Sequence, residues 1–227
     1  VVTVITCTIR DSALKNVFRN FLQQVTAKKE LIIILNNDNM DVNKWKREAG
    51  KYKNISIYQL SQDVTLGSCF NFGVKKSRYR YVAKFDDDDY YAPNYLKTML
   101  RFLTHTNADI VGKTSIYVYY ADSKILSIHL PNQERRYCKH VAGATMVFDK
   151  SVFQKVRFPD VNKGMDQRFL TRCVKKGVKI YSADRFNFTC IRNPDKNNHT
   201  WKVSDSELLR YGKVITRTNN YKSYVVK

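Results

Sequence analysis

Tyr81-Val82-Ala83-Lys84-Phe85-Asp86-Asp87-Asp88-Asp89 is an apolar stretch closed by four consecutive acids. A short apolar run ended by turn-forming residues reads as a buried strand. Carboxylates ~4 Å apart repel by roughly 4 kcal/mol at an effective dielectric near 20. A strand end that gathers them therefore calls for a cation to offset the repulsion. Oxygen ligands of this kind suit hard divalent ions, Mg²⁺ or Mn²⁺, and those ions suit a molecule that carries phosphates. A calcium loop of the EF-hand type does not fit. Counted from Asp86, the sixth residue is Tyr91 rather than Gly and the twelfth is Lys97 rather than Glu.

Outward from this strand, apolar runs alternate with helical spacings. Residues 1–9 and 31–35 are short continuous apolar runs, as in strands buried on both faces. Between them Leu14, Val17, Phe18, Phe21, Leu22 and Val25 recur at helical intervals, with Asp11 or Ser12 placed as the cap. The spacing predicts a helix over 42–51, a strand over 55–60, a helix over 66–77 and a strand over 80–85. A fourth helix starts at Pro93, with Leu96, Met99, Leu100 and Leu103 on one stripe. Repetition of this kind implies parallel strands with right-handed crossovers.

After Asp109 the pattern changes. Residues 110–120 and 125–130 read as a hairpin across Ala121-Asp122-Ser123-Lys124. Then come a strand over 144–148, a short helix over 151–156, and a helix over 164–176 stopped by Gly177. Strands follow over 178–182 and 186–191, then a polar loop over 193–199; beyond 204 one helix and an extended segment are expected. The sum is one α/β domain built on a mixed sheet. Ligands of such sheets bind beyond the carboxyl ends of the parallel strands. Residues 6–10, 36–39 and 86–89 should therefore converge on one edge.

The chain has 227 residues, with 40 Lys+Arg against 20 Asp+Glu and a formal net charge of +20. Charge of this size attracts polyanions at long range, and alone it does not choose among nucleic acid, an anionic membrane and a phosphate-rich polymer. A nucleic-acid-binding module would leave the acidic run unexplained, so no nucleic acid is expected. A nucleotidyl or phosphoryl transferase, the other metal-using alternative, would carry a Gly-Lys or Arg-laden phosphate loop, which the sequence lacks. No apolar run is long enough for a transmembrane segment. Five scattered cysteines without a CxxC pair suit reduced thiols. With no basic leader before the first strand, these features lead us to expect a cytoplasmic protein, with peripheral contact at the inner face of an anionic membrane.

Six stretches taken in order carry a resemblance. They are Val4-Ile5-Thr6-Cys7-Thr8-Ile9-Arg10, Leu35-Asn36-Asn37-Asp38-Asn39-Met40-Asp41, Gly67-Ser68-Cys69-Phe70-Asn71-Phe72-Gly73, Lys84 through Pro93, Gly143-Ala144-Thr145-Met146-Val147-Phe148, and Gly164-Met165-Asp166-Gln167-Arg168-Phe169-Leu170. Over roughly residues 1–201 the chain resembles the family-two glycosyltransferases of GT-A fold, with a Rossmann-like mixed sheet and helices on both faces. It departs from the family pattern at several points. Cys7 stands where proline is usual, Asn36 and Asn37 replace the customary Asp pair, and Met165 replaces a Glu. The Gln-x-x-Arg-Trp signature of processive synthases is absent.

The resemblance implies a catalytic domain over 1–203, with a nucleotide-binding half (1–106) and an acceptor half (107–203), and a C-terminal tail over 204–227, where a further region would begin. It implies that Asp88 binds Mn²⁺ or Mg²⁺ together with His199. Thr8, Asn37, Asn71, Asp86 and Asp87 would hold a nucleoside-diphosphate sugar, a UDP-sugar being favoured. Asp166 would be the general base for an inverting hexosyl transfer to a carbohydrate or anionic polymer acceptor, in cell-envelope or surface polysaccharide synthesis. Read from the residues alone, Asp166 also suits a helix cap, His199 a surface histidine, Asn37 a turn and Thr8 a strand end.

Overall fold

The computed structural model describes residues 1–192 and 205–227. Val2–Thr8 forms β1 and Lys29–Leu35 forms β2, and nearly every residue of both is buried. Strand side chains alternate between faces, so burial along the whole strand requires cover on both. Helices α1 (Leu14–Leu22), α2 (Val42–Ala49) and α3 (Leu66–Lys76) connect β1, β2, β3 (Ile55–Gln59) and β4 (Tyr81–Lys84). Next come β5 (Tyr90–Tyr91), α4 (Tyr95–His105), β6 (Ile110–Gly112), β7 (Ile116–Tyr120), β8 (Ile125–His129), β9 (Arg136–Cys138) and β10 (Val147–Asp149). The chain continues through α5 (Met165–Lys175), β11 (Ile180–Ser182), β12 (Phe188–Arg192), α6 (Asp205–Arg210), β13 (Gly212–Arg217) and α7 (Lys222–Val225).

The alternation along β1 and β2 sorts the helices. Val2, Val4, Leu31 and Ile33 pack with Phe18 and Phe21 of α1, Trp45 of α2 and Met99 of α4. Ile5, Ile32 and Ile34 pack with Phe70 and Val74 of α3 and with Phe169 and Leu170 of α5 on the opposite face. The larger sheet runs β3-β2-β1-β4-β10-β6-β11-β9. Its first four strands are parallel, with Val2 opposite both Lys29 and Tyr81. The chain lays β2 and β3 to one side of β1 and then returns to place β4 on the other. That reversal between β1 and β4 is where an open α/β sheet leaves a crevice, and the acidic run follows β4.

The structure corrects three expectations here. A second sheet, β13-β8-β7-β12-β5, stands beside the first, and the strand expected over 110–120 is split between the two. The break follows from long-range bonds at its middle. Lys113 N–H donates to Thr145 Oγ1, Thr114 N–H to Ser182 Oγ, and Ser115 Oγ to the Leu130 carbonyl. Thr145 and Ser182 thus take two main-chain N–H groups that a ladder would use, and the chain changes sheets. Residues 144–146 belong to a short 3₁₀ turn, Gly143–Thr145, with the strand starting only at Val147. Asp11 does not cap α1. Its carboxylate accepts from the Trp45 indole N–H at 2.6 Å, and the helix starts after Ala13 without a side-chain cap.

The β7–β8 hairpin forms as expected. Beyond residue 204, β13 pairs antiparallel with β8, and Val225 of α7 is buried against Tyr117 and Tyr119. Among the described residues no helix is long and apolar enough to cross a membrane.

Candidate active site

The four acids leave β4 on a turn fixed from behind. Asn16 Nδ2 donates to the carbonyls of Asp87 and Asp89, and Asn20 Nδ2 to that of Asp89 at 2.8 Å. Gln23 and Gln24 donate to the Tyr91 carbonyl, and Gln24 also to that of Ala92. Four amides of α1 and its C-terminal end thus take up carbonyls that a buried turn would otherwise leave unpaired. Tyr91 braces the other side. Its ring stacks on Phe85, centroids 3.7 Å apart, and its hydroxyl accepts from Asp86 N–H while donating to the Ala144 carbonyl.

Held this way, the four carboxylates differ in burial and in partners. Asp89 is buried and accepts from Ile191 N–H, and burial, then Asp88 and Asp86, push its carboxyl well above the usual range. Asp87 is also withdrawn. Arg10 holds both of its oxygens, at 2.7 and 3.0 Å, and Thr8 Oγ1 donates to one of them at 2.5 Å. Burial pushes the Asp87 carboxyl up, and the Arg10 hydrogen bond opposes that shift. Asp88 lies 3.2 Å from the same guanidinium, and Asp86 accepts from Lys84 Nζ at 2.5 Å. Asp86 and Asp88 keep 38% and 24% of their side-chain surface exposed. Both border a cleft of about 820 Å³.

Asp166 enters the same cleft from the first turn of α5. Its Oδ2 lies 3.4 Å from Lys84 Nζ, while Oδ1 is out of solvent and has no hydrogen-bond partner among the described residues. Burial raises the Asp166 carboxyl above its ordinary value; Lys84 opposes the shift and Asp86 adds to it. The place exists because residue 143 is glycine. A Cβ there would stand 2.0 Å from Asp166 Oδ2 and 2.6 Å from its Cβ. Misplacing a reacting group by ~1 Å costs about 10²-fold in rate. On that scale Gly143→Ala should lower activity about 10²-fold, and because the Asp166 Cβ is fixed to α5 and cannot swing away, it should lower the melting temperature as well, which an activity assay beside thermal denaturation will check.

A second hollow of about 410 Å³ adjoins the cleft at Cys7, Arg10 and Asp87. Thr8, Asn36 and Asn37 line it. Asn37 is partly committed to a turn, donating to the Ile9 carbonyl and accepting from Asn39 N–H. Asn36 donates its amide to the Ser61 and Val64 carbonyls, which orients its oxygen as the group left to accept from a ligand.

Asn71 is corrected. Its Nδ2 donates to the Phe158 carbonyl and its Oδ1 accepts from Phe158 N–H, so it ties α3 to the segment before α5 and borders neither hollow. His199 lies outside the described residues. The structure brings Thr8, Asn37, Asp86, Asp87, Asp88 and Asp166 to the two adjoining hollows.

The family model described as glycosyl transferase family 2 matches residues 3–157. The chain belongs to that family. Among solved structures, TarS 1–349 from S. aureus in complex with UDP-GlcNAc superposes with a TM-score of 0.70 at 13% identity, over 89% of this chain and 61% of that one. The same protein in complex with UDP gives 0.65 at 16% identity, over 85% and 61%. The structure titled simply TarS gives 0.67 at 14% identity, over 86% of this chain and 37% of that one. At these identities the likeness is one of fold, and the fold is GT-A. The chain spans about 61% of the shorter TarS structures and 37% of the longer. No curated protein matches by sequence.

Family membership rests on the match over residues 3–157. Reasoning from sequence gave no role to Lys84, Arg10, His129 or His140, all of which border the cleft. Lys84 did leave a signal, as a lone charge inside an apolar strand. Whether the acids suit a hard cation can be judged from their donors. Among the described residues no three His, Cys, Asp or Glu side chains form a ready metal cage. Mg²⁺ needs less, since it keeps several waters and takes one or two carboxylates plus substrate phosphates. Asp86 and Asp88, open to the cleft, meet that requirement. Asp87 and Asp89 border the cleft too, but both are buried and already held, Asp87 by Arg10 and Thr8 and Asp89 by the Ile191 N–H.

Proposed function

We propose that the chain transfers a sugar from a nucleoside-diphosphate sugar to an acceptor hydroxyl with inversion. The observation that carries this reading is the placement of Asp86, Asp88 and Asp166 around one cleft, with a polar hollow opening off it beside Thr8 and Asn36. The base and ribose would occupy the hollow, where the Asn36 oxygen accepts from an imide or amino group of the base. UDP-sugars are the first donors to try. Asp88 and Asp86 would hold Mn²⁺ or Mg²⁺, which when bound supplies Lewis-acid stabilisation of the leaving diphosphate.

The chain's own residues do the rest. Asp166 accepts the acceptor's hydroxyl proton at a carboxylate oxygen as that oxygen bonds to the anomeric carbon. The bond from that carbon to the diphosphate breaks, and its electron pair leaves with the nucleoside diphosphate. Attack from the side opposite the leaving group inverts the configuration. The buried floor of the cleft, with Phe70 and Met165, limits water near the base. The net charge of +20 favours an anionic acceptor such as a phosphate-bearing envelope polymer, and peripheral contact with an anionic leaflet.

The test is release of nucleoside diphosphate from a panel of nucleotide sugars with Mn²⁺ or Mg²⁺. Activity with at least one donor is expected, and silence across the panel sinks the reading. Asp88→Asn should lower that activity about 10²- to 10³-fold, the usual scale for losing one stabiliser of developing charge. Full activity in Asp88→Asn with the metal present would remove Asp88 from the metal site.

A further inference from the structure

Lys84 is the one charged side chain in β4, and it is 3% exposed. Its ammonium lies 2.5 Å from Asp86 Oδ1 and 3.4 Å from Asp166 Oδ2, and 5.1 Å from the centre of the Phe70 ring. A buried ammonium is retained only when paired, and Asp86 alone would satisfy that need. The same cation also reaches across the cleft to the first turn of α5. Two carboxylates 80 residues apart in sequence thus meet on one buried charge.

The other contacts of Asp166 do not fix its carboxylate. Its Oδ1 has no partner among the described residues, and Gly143 supplies room rather than a bond. Lys84 is the only described side chain that forms an ion pair with it. Without that pair the carboxylate can turn about its own torsions. We propose that Lys84 is a positioning residue for the general base, holding Asp166 Oδ2 towards the space where the acceptor hydroxyl meets the sugar. The inference rests on the reading of Asp166 as the base. The ammonium touches neither substrate nor the reacting atoms and acts through Asp166. Its second contact, to Asp86, ties the orientation of the base to the donor side of the cleft.

The test compares Lys84→Met, Lys84→Arg, Asp166→Asn and the double variant Lys84→Met/Asp166→Asn, with the donor that the parent uses. Lys84→Met should lower kcat for transfer about 10²-fold, with KM for the donor within about fivefold of the parent. Lys84→Arg, which keeps the charge on a longer side chain, should recover at least tenfold of that loss. In the Asp166→Asn background Lys84→Met should lower kcat by no more than about threefold, because a group that acts through Asp166 has nothing left to position. Lys84→Met at the parent's kcat overturns the proposal. So does a full 10²-fold further loss in the Asp166→Asn background, or a donor KM that rises in step with the fall in kcat. If Lys84→Met does not fold, Lys84→Gln takes its place under the same criteria. A different result marks failure of the underlying reading: Asp166→Asn itself transferring at the parent's rate.

Discussion

Asp166→Asn is expected to bind the nucleoside diphosphate about as tightly as the parent and to transfer sugar about 10³-fold more slowly. General base help is worth typically ~10²–10⁴-fold, and an amide of the same shape cannot take the proton. Isothermal titration with the nucleotide, beside initial rates, separates the two effects. The pH profile gives a second signature. Burial holds the Asp166 carboxyl above its ordinary value, against the pull of Lys84. The base works only when ionised, so the parent's kcat/KM should fall as pH drops through a value higher than that of a free aspartate. Asp166→Asn should lose that limb. The same shift has a sign for stability. The folded state holds this proton more tightly than the unfolded chain, so the contribution to folding is present at low pH and lost as pH rises through the folded value. Removing the charge should therefore spare the fold at neutral pH. A melting temperature that collapsed in Asp166→Asn would make Asp166 a structural residue.

Gly67→Ala should give the largest loss of stability. A Cβ at residue 67 would lie 1.8 Å from the Pro159 carbonyl oxygen and 2.9 Å from its carbon, and both are main-chain atoms that cannot swing away. The approach is held by bonds on every side. Gly67 N–H donates to the Val161 carbonyl, Leu66 N–H to Asn162 Oδ1, and the hydroxyls of Thr65 and Ser68 both donate to Asp160. The methyl must push the first turn of α3 off this segment. Overpacking of this kind costs about 3 kcal/mol, a drop on the order of 10 °C in Tm for a domain of this size. Thermal denaturation followed by circular dichroism will measure it. Unchanged melting would mean that the segment over 158–162 yields freely, in which case it does not brace α3.

The parallel half of the fold was legible because its signals are local. Continuous apolar runs at 1–9 and 31–35 and helical spacing between them need no knowledge of distant residues. The second sheet was not legible. Residues 110–120 read as unbroken, and what breaks them is main-chain bonding to Thr145 and Ser182, 32 and 68 residues away. The bonding of Asn71 was hidden for the same reason, since its partner Phe158 is 87 residues away. In the site, the acids and Asp166 could be read from residue type and order, whereas the ammonium that joins them showed only as a lone charge in an apolar strand, with no sign of its partners. The amides of α1 left a trace that was missed. Asn20 is a polar residue at a buried helical position beside Val17 and Phe21, where a side chain must find a partner inside the protein.

The way α1 grips the turn after β4 bears on how variants at 86–88 will behave. Its amides hold carbonyl oxygens and leave the carboxylates alone. Backbone is the rail, and the acids are fittings mounted on it. Exchanging one fitting for another of similar size alters the local field, while the rail stays anchored through groups that carry no net charge and titrate at no accessible pH. Such a mount lets the acid content of the turn change without reopening the fold.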